Sequence, residues 1–171
     1  MERMNLFESG VGWPCYRIPG LIRTAAGTLI ACCETRLESS DWSTRGVAAR
    51  RSEDGGKTWL PLQQLVRHES LAVNNPVMVA GADGTVHLLW QTDYEKLYYQ
   101  PSSDDGRSFG PVRELDVFES YRPDLDWTVF AVGPGHGIET RSGALIVPAW
   151  IAKGQGRDHF PSTVSCIRSD D

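Results

Sequence analysis

The sequence has no run of about 18 consecutive apolar residues, the length a helix needs to cross a bilayer, so no membrane span is expected. Its start, Met1 to Trp13, lacks the apolar core of a signal peptide, which favours a cytoplasmic setting. Basic residues are not in excess: 17 Lys and Arg stand against 22 Asp and Glu, for a formal net charge of -5. Nucleic acid, which binds a basic surface, is not an expected partner. A small anion is not excluded, because it needs only a few local arginines. Cysteine is sparse, and Cys15, Cys32, Cys33 and Cys166 contain no Cys-x-x-Cys pair. They read as buried free thiols rather than a disulfide framework. The four histidines share no metal-ligand spacing. The glycine-rich turn at Gly133-Pro134-Gly135 lacks the Gly-Lys-Ser/Thr ending of a phosphate-binding loop. No metal and no cofactor is therefore expected. Helical periodicity is scarce as well.

What is present is repetition. Ser52-Glu53-Asp54-Gly55-Gly56-Lys57-Thr58-Trp59 fits the pattern Ser-x-Asp-x-Gly-x-Thr-aromatic, and Ser102-Ser103-Asp104-Asp105-Gly106-Arg107-Ser108-Phe109 fits it again. Ser169-Asp170-Asp171 begins it a third time. Upstream of each copy a turn glycine precedes a β-rich run: Gly27-Thr28-Leu29-Ile30, Gly84-Thr85-Val86-His87 and Gly143-Ala144-Leu145-Ile146. Between these signals lie short apolar segments punctuated by Gly, Pro, Asn and Asp, which predict strands. The first unit should hold strands near 20–24, 28–34, 46–52 and 58–65. The second should hold them near 77–80, 85–91, 96–102 and 108–115. The third should hold them near 137–140, 144–151 and 162–169, without a fourth. Units of four antiparallel strands, repeated, are propeller blades, and the fold class is all-β. Asp54 and Asp104 then sit in the turn between third and fourth strands. There, Ser and Asp side chains satisfy turn backbone and Gly takes positive φ. They are expected to fasten turns, not to catalyse.

Connectivity sorts the other polar residues. The start of a blade's first strand, the end of its second and the loop from second to third share one edge. The Ser-x-Asp turns occupy the other. Arg17, Arg36 and Asp41 should therefore gather on a single face, opposite those turns. Asp93 and Glu95 share that face without an assigned role.

Tyr16-Arg17-Ile18-Pro19, Glu34-Thr35-Arg36, Asp41 and Arg50-Arg51-Ser52 follow one another in an order that resembles the opening of the sialidases, propellers that carry Asp-box repeats. Asn75-Pro76, Gly133-Pro134-Gly135-His136-Gly137-Ile138 and Val147-Pro148-Ala149-Trp150 resemble that family's second and third blades. The likeness implies a six-bladed β-propeller, of which residues 1–171 would be the N-terminal portion, about three blades of a single domain. It implies an exo-α-sialidase that hydrolyses terminal sialic acids with retention, acting on a sialylated glycoconjugate or sialoside. By the same likeness Arg17 is the first member of the arginine triad that grips the substrate carboxylate. Arg36 is a further arginine near the ring, and Asp41 is the acid/base group. Asn75 faces the substrate, and Trp150 lines the acyl or glycerol pocket. The remaining arginines, a glutamate and the tyrosine nucleophile are expected after residue 171, so residues 1–171 alone are expected to be inactive and poorly soluble. Tyr94, Tyr98, Tyr99 and Tyr121 do not match the nucleophile's place.

Each assignment has a plainer counterpart. Arg17 could be a surface arginine on a loop, Arg36 could pair with Glu34 or Glu38 at the surface, and Asp41 could cap its own turn. Asn75 could be a turn residue, Trp150 a core residue, and His136 shapes its loop rather than catalysing. A non-catalytic propeller, serving as a carbohydrate-binding or scaffold module, is the alternative to an enzyme. A transglycosidase, or an enzyme for another 2-keto sugar acid, would carry the same carboxylate clamp.

Overall fold

The computed structural model describes residues 3–121 and 126–170. Three antiparallel sheets follow one another along the chain. The first is β1 (Cys15–Arg23), β2 (Leu29–Arg36), β3 (Thr44–Ser52) and β4 (Gln63–Arg67), paired in that order. The second repeats it with β5 (Val73–Ala80), β6 (Val86–Thr92), β7 (Lys96–Ser102) and β8 (Arg113–Leu115). The third contains β9 (Val129–Val132), β11 (Ile138–Glu139), β12 (Leu145–Ala152) and β13 (Ser162–Ser169). Between β9 and β11, β10 (Gly135–His136) leaves its own sheet and pairs parallel with β5, Gly135 opposite Val77. Among the described residues no helix is long and apolar enough to cross a membrane.

The sheets stack face to face, and their burial follows from that. The second sheet lies between the other two, so its β6 is buried almost end to end, and β2 is buried along most of its length as well. Strand alternation then divides the side chains between neighbours. Val86, Leu88 and Trp90 of β6 join Ile30, Cys32 and Val47 in the core between the first and second sheets. Leu89 joins Val132, Val147 and Ile151 in the core between the second and third. At about 25 cal/mol per Å² of apolar surface, these two seams are the main adhesive between sheets.

The strand order matches the expectation, but boundaries differ: β1 and β5 begin earlier than expected, at Cys15 and Val73, upstream of breaks in their register, and three other differences have physical reasons. Both fourth strands start late, at Gln63 and Arg113, because Pro61 and Pro111 precede them and have no N–H to give a ladder. The chain instead turns back through Leu60 N–H to Arg51 O at 2.8 Å and Gly110 N–H to Pro101 O at 2.8 Å. The third sheet's first strand, expected only near 137–140, is split. β9 pairs the far half of β12 and β11 the near half, with Gly133 to Gly137 looped out toward β5. A four-residue apolar run such as Val129–Val132 carries too little periodicity to be read alone.

The thiols are all free, but only Cys32 and Cys33 are buried. Cys15 is half-buried, and Cys166 is exposed, on a side of β13 that no other sheet covers, which corrects the expectation of four buried thiols.

The two complete Ser-x-Asp turns are superimposable in their bonding. Ser52 Oγ donates to Asp54 Oδ1 at 2.8 Å and accepts Gly56 N–H at 2.8 Å. Thr58 gives its N–H to Asp54 Oδ1 at 2.9 Å and its hydroxyl to Oδ2 at 2.6 Å. Ser102, Asp104, Gly106 and Ser108 repeat the set at 2.7, 2.9, 2.9 and 2.6 Å. Donors converging on each carboxylate hold both well below the usual range, to about 2. The third turn reaches Asp171, outside the described residues.

Candidate active site

The first strand of each sheet breaks at the same place. β1 slips register between Arg17 and Gly20, and β5 between Asn74 and Val77. In both, the residue before a proline takes a left-handed conformation: Ile18 at φ 57° and Asn75 at φ 49°. Gly133, before Pro134, does the same at φ 65° where β9 ends. A β-branched residue such as Ile18 is costly there, about 1–3 kcal/mol, so the surrounding sheet has to impose it. By register, Arg17 lies opposite Glu34 in the first sheet, and Asn74 lies opposite Gln91 in the second.

Those two partners tie the sheets together at this edge. Gln91 is fully buried. Its Nε2 donates to Phe130 O at 2.7 Å, and its Oε1 accepts Val132 N–H at 2.8 Å. Glu34 is buried too, and its Oε1 accepts Asn75 N–H at 2.7 Å. Its other oxygen accepts Arg36 Nε–H at 2.7 Å, Arg36 Nη2 and the Thr44 hydroxyl at 3.2 Å. Burial pushes the Glu34 carboxyl up, and the Arg36 guanidinium and the Asn75 N–H oppose it. Burial likewise works against the Arg36 charge, and Glu34 and Asp41 together more than restore it.

Arg36 continues the chain of contacts outward. Its Nη1 reaches Ser39 O at 3.0 Å and Asp41 Oδ1 at 2.7 Å. Four of its five N–H donors are thereby engaged. Arg17 is exposed, and its Nη1 donates to the same Ser39 carbonyl at 3.3 Å. Asp41 opens a single 3₁₀ turn, Asp41–Ser43, whose N-cap Ser40 accepts Trp42 N–H at 3.2 Å. Its side chain is one-third exposed, and its backbone carbonyl accepts Asn74 Nδ2–H at 2.9 Å, with Thr44 Oγ1 at 3.0 Å sharing its one hydrogen between this carbonyl and Glu34. Arg17 and Arg36 thus share the Ser39 carbonyl, and Asp41 joins them through Arg36, at the edge opposite the Ser-x-Asp turns. The partner foreseen for Arg36 at the surface, Glu34, is in fact buried with it.

Asn75 touches this network only through its backbone N–H, and Trp150 lies outside it. The Asn75 side chain is buried and donates to Val132 O at 2.9 Å, bridging second and third sheets. Trp150 belongs to an aromatic group further along the same face. The His159 ring meets it edge-on at 5.0 Å, and Tyr94 stands 6.3 Å away. Tyr94 is buried and packs edge-on against Trp42 at 5.2 Å. Burial raises the Tyr94 hydroxyl, and the Glu34 and Asp41 carboxylates raise it further. Arg157 covers the Trp42 ring at 4.0 Å. Beside this group a cleft of about 350 Å³ is lined by Trp42, Ser70, Asp93, Glu95 and Arg157. Asp93 also accepts Ala72 N–H at 3.0 Å.

Sequence reasoning did not single out Asn74, set Tyr94 aside only as not matching the nucleophile's place, and gave Glu34 no role beyond a surface partner of Arg36. A Glu two residues before Arg36 on one strand was a usable signal, since i and i+2 share a face. Asn74 and Tyr94 come from another sheet, and nothing local marked them. Among the described residues no three His, Cys, Asp or Glu side chains gather as metal ligands.

Comparison with known proteins gives a consistent picture. No protein-family model matches the chain. It is 32% identical to human Sialidase-4 over 183 residues, covering 93% of this chain and 37% of that protein. It is 28% identical to rat Sialidase-2, covering 95% of this chain and 49% of that protein. It is 26% identical to the exo-alpha-sialidase of Aspergillus fumigatus, covering 87% and 44%. The chain therefore spans less than half the length of the curated relatives it matches. Among solved structures, a leech intramolecular trans-sialidase complexed with 2,7-anhydro-Neu5Ac superposes with a TM-score of 0.78 at 14% identity, over 100% of this chain and 44% of that one. The Hadza microbial sialidase Hz136 superposes with a TM-score of 0.74 at 22% identity, over 93% and 36%. At these identities the structural matches speak for the fold alone.

Proposed function

We propose that this chain, which belongs to the sialidase family, supplies the acid/base half of an exo-α-sialidase site that releases terminal sialic acid from glycoconjugates with retention. The observation that carries the proposal is the convergence of Arg17, Arg36 and Asp41 on the Ser39–Asp41 turn. Sialic acid bears a carboxylate on its anomeric carbon. A guanidinium pairs such a group through a planar fork that stays charged at any working pH. Arg17, exposed and lightly committed, is placed for that task. Arg36 is largely spent on Glu34, Ser39 and Asp41, so its chief work is to aim the Asp41 carboxyl. With Oδ1 held by Arg36, Oδ2 of Asp41 is the oxygen that would protonate the leaving glycosidic oxygen and then take a proton from water. The nucleophile is assigned to a tyrosine in the remainder of the protein, with a glutamate beside it. Asn75, from its buried position, shapes the site through backbone rather than by touching substrate, and Trp150 lines the neighbouring wall.

The test is Asp41→Asn in the full-length protein. General acid catalysis contributes about 10²–10⁴-fold, so kcat/KM on a natural sialoside should fall by that order. On an aryl sialoside, whose leaving group needs no proton, it should fall much less. A wild-type protein that binds sialosides and turns over neither substrate would replace the enzyme with a binding module.

A further inference from the structure

We infer that Asn74 is a positioning residue for the acid/base carboxyl, holding the backbone of Asp41 from the neighbouring sheet; this rests on the assignment of Asp41 above. Asn74 is completely buried, and its Nδ2 donates to the Asp41 carbonyl at 2.9 Å. The orientation of the amide follows from chemistry, because the reverse would set two acceptors face to face. Thr44 Oγ1 lies 3.0 Å from the same carbonyl but shares its one hydrogen between that oxygen and Glu34 Oε2 at 3.2 Å, so Asn74 is the donor that holds this peptide without competition. The Thr44 bond comes from within the turn. The Asn74 bond comes from β5.

Three further observations single this side chain out. Among the described residues no donor reaches the buried Oδ1 of Asn74. For stability alone, an apolar side chain of that size would serve better, since an orphaned buried acceptor is a cost. What the amide supplies is its N–H. Next, Asn74 stands at the register position that Arg17 holds in the first sheet, just before the left-handed residue and the proline. The register of β5 breaks directly after it. Finally, the adjacent Asn75 N–H holds Glu34, which holds Arg36, which holds Asp41 Oδ1. Two successive residues of β5 therefore grip the Arg36–Asp41 pair at both ends, one through its backbone and one through its side-chain relay. Loss of the Asn74 contact would free the Asp41 backbone while Arg36 stayed fixed, tilting the carboxyl away from the leaving oxygen. A misplacement near 1 Å can cost about 10²-fold in rate.

The experiment compares kcat/KM of the full-length protein on two substrates, a sialoside with a sugar leaving group and one with an activated aryl leaving group. Asn74→Ala removes the donor. Asn74→Asp keeps the shape and places an acceptor against the carbonyl. Both should lower kcat/KM for the sugar glycoside at least tenfold more than for the aryl one, the same direction as Asp41→Asn. Asn74→Ser, which keeps a shorter donor, should show a smaller change in that ratio and is the variant to read if the others fold poorly. Equal losses on the two substrates, with or without a fall in melting temperature, mean a merely structural residue and overturn the inference. If Asp41→Asn itself leaves the ratio unchanged, the acid/base assignment has failed and the inference falls with it. If Asp41→Asn shifts the ratio and no Asn74 variant does, only the inference is lost.

Discussion

Replacing Glu34 by Gln should be among the most destabilising single changes in the molecule. The substitution preserves size, so the effect isolates charge and hydrogen bonding. Glu34 and Arg36 are both fully buried and bonded through two guanidinium nitrogens. Removing one member of such a pair typically costs about 3–5 kcal/mol, because the other charge stays buried. Here Asp41, at 2.7 Å from Nη1, still compensates part of it, which points to the lower end of that range. Against this, the new amide directs either an N–H at Arg36 or one at the Asn75 N–H, so a donor always faces a donor. A loss of about 3 kcal/mol or somewhat more follows. Urea unfolding of the full-length protein, followed by tryptophan fluorescence, should show the midpoint falling with an unchanged slope. A Glu34→Gln/Arg36→Met double variant, with no buried charge left over, should recover part of the loss. A single variant within about 1 kcal/mol of wild type would refute the reasoning, and so would a double variant less stable than the single.

Two other predictions concern the Ser-x-Asp turns. Both carboxylates sit at about 2 in the folded protein, below the ordinary 3.8, so their contribution to folding is present above about pH 4 and is lost as pH falls through about 2. A protein carrying Asp54→Asn and Asp104→Asn should lose less of its remaining stability between pH 4 and pH 2, measured by acid titration of its circular dichroism; an unchanged acid profile would argue against the assignment. Gly56→Ala and Gly106→Ala change the same turn position, both at positive φ. Only at Gly106 would the new methyl run into another sheet, against Ile30 Cδ1, whereas at Gly56 the nearest atom is 3.4 Å away. Gly106→Ala should therefore be the worse by about 1–3 kcal/mol, the usual cost of overpacking, and equal thermal shifts would deny the inter-sheet contact.

The repeat of strands was legible from the sequence because turn chemistry is local. Ser52, Asp54, Gly56 and Thr58 bond to one another within seven residues, so their spacing alone announces the turn. Connectivity was enough to place Arg17, Arg36 and Asp41 at one edge, since strand direction decides which loops share an end. Pro61 and Pro111 were visible too, and their missing N–H groups explain why the outer strands begin late. Tertiary structure alone decided how those residues are held. Glu34 is two residues from Arg36, but its burial depends on the second sheet closing over β2, and that converts an ordinary surface pair into a charged core. Asn74 reaches Asp41 across 33 positions of sequence, beside a break in β5 that no local pattern specifies. Tyr94 meets Trp42 only because the two sheets stack. Residue types and strand order belong to the sequence by itself; the burial of Glu34 and Arg36 and the aim of Asp41 arise between sheets, where the contacts are long-range and leave no periodic trace.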